Sequence, residues 1–136
     1  MEGIRTVKNP HTEIPSSSPT GIEQSIEKVI EQRGNRFLKR VFTEAEIGFC
    51  QCKARPAARF ALRFAAKEAF AKAMGSGFRD GLGFRQIEVM NDLNGRPNLV
   101  LHGKSKEMCE GSGITNSHLS LSDDSFYAIA MVLLEY

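Results

Sequence analysis

Between positions 63 and 73 the chain reads Arg63-Phe64-Ala65-Ala66-Lys67-Glu68-Ala69-Phe70-Ala71-Lys72-Ala73. On a helix, four-residue spacing sets Glu68 and Lys72 on one face, and Arg63 and Lys67 on another. Ala61 and Ala65 continue the Glu68–Lys72 face, a stripe of small side chains that would let a bulky ligand approach closely. Phe60 and Phe64 fall on an adjacent face and should enter the core. Gly75-Ser76-Gly77 follows at once, so flexible backbone, a hydroxyl and a lysine come close together. Backbone amides with a cation are the parts that surround a phosphate. The loop is not a Walker A motif, because its lysine precedes the glycines and a helix ends there instead of beginning. Taken singly, these features have plainer readings: a solvated ion pair worth about a few tenths of a kcal/mol, and a glycine helix cap.

A basic tract lies upstream. Arg33, Arg36, Lys39, Arg40, Lys53, Arg55, Arg59 and Arg63 are offset only by Glu44 and Glu46. The whole chain carries a formal charge of +2, which makes no case for nucleic acid. A local excess on a near-neutral protein points to a polyanionic partner or ligand, with a solvated helix face as the alternative. No apolar run approaches the roughly 18 residues of a membrane span, and the opening residues have no secretory h-region. The expectation is a cytoplasmic protein, with Cys50, Cys52 and Cys109 as thiols.

The elements that must position these residues are legible from period and punctuation. Residues 1–20 read as irregular, with two prolines bracketing Ser16-Ser17-Ser18. Ile22, Ile26, Val29 and Ile30 form one helical stripe ending near Gly34, and a short continuation covers Phe37 to Val41. Thr43-Glu44-Ala45-Glu46 is a capping box for a helix running to about Cys52. Pro56 opens the longest helix, which runs to Met74 and stops at the glycines. Phe84–Met90 and Asn98–Leu101 alternate as strands around the turn cluster Asn91 to Gly95. Lys104–Glu110 is a short helix, Ser117–Asp123 alternates again, and Phe126–Leu134 has the composition of a sheet centre. This order predicts one α+β domain over residues 21–136, with an antiparallel sheet packed against one long helix and shorter ones.

Four separate segments in this order resemble the bacterial holo-acyl-carrier-protein synthases, the short 4′-phosphopantetheinyl transferases. They are the Arg63–Ala73 helix with Gly75-Ser76-Gly77; Phe37 to Thr43 with Glu46; Ile87-Glu88-Val89 with Asn91-Asp92 and Asn94-Gly95-Arg96-Pro97; and His118 to Ser122 with Tyr127, Ala128 and Ala130. The resemblance covers about residues 26 to 136. It implies transfer of 4′-phosphopantetheine from coenzyme A to a carrier-protein serine, within fatty acid biosynthesis, leaving adenosine 3′,5′-bisphosphate. Such a reaction needs charge neutralisation and a deprotonated hydroxyl.

Residue by residue, the resemblance makes Glu68 the Mg²⁺ ligand and Lys72 the lysine on the phosphates, together the catalytic pair. Arg63, Lys67, Gly75, Ser76, Gly77, Arg96, Pro97 and His118 would bind the cofactor. Read alone, His118 is a polar strand-face residue. Arg33, Arg36, Lys39 and Arg40 would dock an acidic carrier. Family members are commonly homotrimers with the cleft between subunits, so His118 and the Arg96-Pro97 turn would act across an interface. The chain departs from the family before its first helix. The family's first strand, of the form G-x-D-I/L-V-x-I-x-R, supplies a second metal-binding aspartate, whereas this chain has Pro15 to Ser25 there and no aspartate before Asp80. The expectation is therefore a fold without a normal first strand. A changed start or reading frame, a substitute carboxylate from Glu13 or Glu23, and an impaired member that binds carrier or coenzyme A are the three accounts of that departure.

Overall fold

The structure, a computed structural model, describes residues 4–9, 22–79, 81–123 and 127–135. In chain order it comprises strand β1 (Ile4–Asn9), helices α1 (Ile22–Arg33), α2 (Asn35–Val41), α3 (Glu44–Gln51) and α4 (Pro56–Met74), strands β2 (Ile87–Asn91) and β3 (Pro97–Leu101), helix α5 (Gly103–Gly111), and strands β4 (Asn116–Asp123) and β5 (Ala128–Glu135). This is the α+β mixture with antiparallel strands that the sequence predicts.

Local chemistry sets the helix ends. Thr43 Oγ1 accepts from the Glu46 amide at 3.2 Å, and the Glu46 carboxylate accepts from the Thr43 amide at 2.9 Å, completing the capping box of α3. Pro56 occupies the first turn of α4, where no backbone donor is missed. At the other end Gly75 turns left-handed (φ 77°), and the Gly77 amide donates back to the Ala71 carbonyl at 3.2 Å. With the Gly75 amide on the Lys72 carbonyl at 3.0 Å, that bond takes up carbonyls of the last turn at a left-handed glycine cap.

The strands form two separate ladders, a three-stranded sheet in the order β1-β5-β4 and the hairpin β2-β3. Strand β5 is central, as its composition predicts. Its inward residues Ala128, Ala130, Val132 and Leu134 are buried, and α4 lies against them. Alanines on both partners, Ala61 and Ala65 from the helix and Ala128 and Ala130 from the strand, let helix and sheet approach closely. Phe42 and Phe60, with ring centroids 4.8 Å apart, extend this core under α2 and α3.

Two expectations are corrected. Residues 4–9 are not irregular: β1 pairs antiparallel with β5, from Ile4 opposite Glu135 to Asn9 opposite Ala130. Ile4, Thr6 and Val7 are β-branched and suit a pleated strand, and without β1 one edge of the apolar β5 would lack its ladder. A first strand is therefore present, although it carries no carboxylate; residues 10–20 lie outside the described residues. Second, Phe84–Gln86 is a 3₁₀ turn and β2 begins only at Ile87. The Gln86 amide donates to the Gly83 carbonyl at 3.2 Å, which closes a turn where alternation alone suggested a strand.

Candidate active site

Glu68 is half-buried on α4, and Lys72 is exposed one turn further on. Burial raises the Glu68 pKa above the ordinary carboxylate value, with the Lys72 charge opposing. Gly75, Ser76 and Gly77 follow directly, and Ser76 Oγ donates within the loop to the Gly77 carbonyl at 3.0 Å. Glu68, Lys72 and the loop are therefore assembled at the C-terminal end of one helix, as predicted.

Magnesium takes oxygen donors, keeps several waters, and is usually held by one or two carboxylates beside phosphate oxygens. A partly desolvated carboxylate with a raised pKa fits that donor set. Among the described residues no group of three His, Cys, Asp or Glu side chains could hold a metal ion, so an ion at Glu68 would need substrate oxygens and water to complete its shell. Glu13 lies outside the described residues, and of Glu23 only its place in the first turn of α1 is described.

Lys67 does not belong with these ligand groups. It is fully buried, and its ammonium donates to Glu46 Oε1 at 2.7 Å, the Phe84 carbonyl at 3.0 Å and the Ile87 carbonyl at 2.6 Å. Three acceptors use all three donors of an ammonium. Glu46, also fully buried, accepts in turn from Lys67, the Thr43 amide and the Val89 amide, the last at 3.0 Å. Burial lowers the Lys67 pKa and Glu46 pulls it back up. The pair fastens α4 to α3 and β2, and leaves nothing for a phosphate. The Ala61–Ala65 stripe is likewise closed to ligand, being buried in the core rather than open beside the charge pair.

Arg63 is buried too, but at the wall of a cleft. Its Nη2 donates to Asn91 Oδ1 at 2.8 Å, its guanidinium lies 4.2 Å over the Phe49 ring, and its buried Nε has no hydrogen-bond partner among the described residues. The cleft, of about 770 Å³, carries Lys53, Arg55, Arg59 and Arg63 against the single carboxylate Asp92. Lys53, Arg55 and Arg59 were visible in the sequence only as part of a basic tract. Their convergence depends on the α3–α4 connection folding toward the β2-β3 turn. At that turn Asp92 Oδ1 accepts from the Asn94 and Arg96 amides at 2.8 and 2.9 Å, which fixes the start of Arg96-Pro97.

The remaining residues divide by face. His118 is exposed on β4, opposite Leu133, and shares a sheet face with Met131 and Ile129, which are also exposed. The other face of the same strands, Leu119, Val132 and Ala130, packs toward α4. His118 and Glu68 therefore lie on opposite sides of the sheet within one chain, and no described contact joins them. Arg33, Arg36 and Arg40 line a second groove of about 480 Å³ around Phe37. Lys39 is exposed outside it.

Comparison with known proteins identifies the class. A family model described as the 4′-phosphopantetheinyl transferase superfamily matches residues 21–130, and the chain belongs to that superfamily. Among its relatives, the holo-acyl-carrier-protein synthase of Koribacter versatilis is 47% identical over 110 residues, 81% of this chain and 88% of that protein. That of Serratia proteamaculans is 46% identical over 110 residues, covering 81% and 87%. The crystal structure of the Neisseria meningitidis holo-acyl-carrier-protein synthase superposes with a TM-score of 0.76 at 30% identity, over 99% of this chain and 97% of that one. The Helicobacter pylori synthase in complex with coenzyme A gives 0.70 at 29% identity, over 98% and 99%. The family match leaves out β1, whereas the structural likeness spans nearly the whole chain.

Proposed function

We propose that this chain transfers the 4′-phosphopantetheine arm of coenzyme A to a serine of an apo acyl carrier protein in the cytoplasm, releasing adenosine 3′,5′-bisphosphate. The observation that carries this reading is the half-buried Glu68 beside Lys72 and the Gly75–Gly77 loop, in a chain whose relatives are holo-acyl-carrier-protein synthases. The new bond joins the carrier serine oxygen to the β-phosphorus. The bond that breaks joins that phosphorus to the bridging oxygen, which departs as part of adenosine 3′,5′-bisphosphate, and the serine proton passes to solvent water. Glu68 would hold Mg²⁺, which when bound supplies neutralisation of diphosphate charge. Lys72 orients the diphosphate with its ammonium, while the Gly75 and Gly77 amides stay on the Lys72 and Ala71 carbonyls and hold the loop in place beside it. The Lys53–Arg63 cleft supplies a second, anion-binding subsite for the nucleotide end, with Asp92 and Gly95 of the β2-β3 turn among its lining. Incubating the chain with apo carrier, coenzyme A and Mg²⁺ tests this. The carrier should gain the mass of one phosphopantetheine, whereas the alternative of an impaired binder gives carrier binding with no gain under any divalent metal.

The groove of Arg33, Arg36 and Arg40 around Phe37 suits an acidic helical partner with an apolar contact at its centre. Arg36→Glu with Arg40→Glu should raise the carrier KM about tenfold, chiefly by slowing encounter, while the coenzyme A KM stays unchanged. Equal effects on both substrates would remove the carrier from this groove.

His118 on the far side of the sheet, beside exposed Ile129 and Met131, supports a trimer in which one subunit's His118 serves its neighbour's Glu68. Glu68→Gln and His118→Ala should each be inactive alone, and their co-assembled mixture should recover part of the parent rate. A mixture as slow as the single variants would confine each site to one chain.

A further inference from the structure

The Gly75–Gly77 loop lacks a lateral support of its own. A Cβ placed on Gly75 or Gly77 would meet nothing within 4 Å, and both residues have positive φ (77° and 59°), so packing against neighbours does not fix the backbone there. Its near end is tied to α4 by the cap bonds from the Gly75 and Gly77 amides. At the far end, Phe78 stacks on Phe84, with centroids 3.9 Å apart and planes 26° from parallel.

Phe84 is a firm platform for that contact. Its second stacking partner is Phe64 of α4, at 5.5 Å and 17°. Its carbonyl takes the Lys67 ammonium at 3.0 Å, and the same nitrogen holds the buried Glu46. Two residues on, the Gln86 carbonyl accepts from the His102 amide at 2.9 Å and from Ser105 Oγ at 2.8 Å. The short turn is thus bonded from the α4 side and from the α5 side, while its ring carries the end of the loop.

We infer that Phe84 is a positioning residue for the reaction: held by Lys67 and Phe64, it stacks on Phe78 and so fixes the Gly75–Gly77 loop in the shape that receives the diphosphate of coenzyme A. This inference rests on the proposed ligand of the loop. Phe84 touches no reacting atom and acts through the loop alone.

The test compares Phe84→Leu, which keeps apolar bulk and removes the stack, with the parent chain. An aromatic stack contributes about 0.5–1.5 kcal/mol beyond burial, so amide exchange in peptides spanning residues 74–79 should quicken by up to about tenfold. Exchange in β5 should not change. Coenzyme A, which carries the diphosphate, should bind about tenfold more weakly by calorimetry, with the carrier KM unmoved. Phe78→Leu removes the same stack without touching the turn, and keeps the test open if Phe84→Leu folds poorly. It should reproduce both effects, and the double variant should add little to either. Loop exchange and coenzyme A affinity unchanged in both single variants, whatever their melting temperatures, would overturn the positioning role. A parent chain that binds neither coenzyme A nor the bisphosphate would instead overturn the reading of what the loop receives.

Discussion

Glu68→Gln is expected to lower the transfer rate by roughly a thousandfold while leaving the fold at least as stable as the parent. The two halves have one cause. Burial raises the Glu68 pKa, so the folded chain keeps that proton to a higher pH than the unfolded chain does. As pH rises from the ordinary carboxylate value through the raised one, the unfolded state binds fewer protons, and stability falls. Above the raised value the ionised Glu68 therefore costs folding free energy that glutamine does not. Melting temperatures of the two proteins should converge below the ordinary carboxylate pKa and separate above the raised one, with the variant higher. A carrier mass-gain assay reads the rate. Transfer within about tenfold of the parent would remove Glu68 from the chemistry.

Lys67→Met should do the opposite, striking stability first. Breaking a fully buried ion pair by removing one partner costs about 3–5 kcal/mol, because the remaining charge is left uncompensated. Here Glu46 would lose its cation, and the Phe84 and Ile87 carbonyls would lose their donor. For a domain of this size the loss corresponds to a drop on the order of 10 °C in Tm. Glu46→Gln with Lys67→Met removes both charges and should recover part of it. Thermal melts of the three proteins decide the matter. A Lys67→Met protein with the parent Tm but weakened nucleotide binding would return Lys67 to the ligand set.

Much of the fold was legible because its signals are local. The Thr43–Glu46 box, Pro56 and the Gly75 cap each act within one helical turn, so α3 and α4 could be bounded from neighbours in the chain. Strand β1 was hidden for the same reason. It is short, a proline-serine stretch follows it, and its ladder partner β5 lies at the other end of the chain. Glu68, Lys72 and the loop were readable as a unit because four-residue spacing fixes their shared face. Lys67 was misassigned because spacing gives azimuth on a helix but not what faces that azimuth. Only Glu46, 21 residues away, and two backbone carbonyls make it a structural cation. The cleft cations Lys53, Arg55 and Arg59 could be counted but not oriented, since their meeting depends on where the β2-β3 turn lands.

The three-stranded sheet has a consequence for biosynthesis. Both of its ladders need β5, so neither β1 nor β4 can take its place until residues 128–135 have left the ribosome. Before that moment the inner face of α4, with its alanines and phenylalanines, has no sheet to cover it. Pairing across such a span makes folding slow and late rather than progressive. The nascent chain therefore carries an apolar helix with no sheet over it from the completion of α4 until β5 emerges, the kind of surface that draws chaperones and aggregation alike.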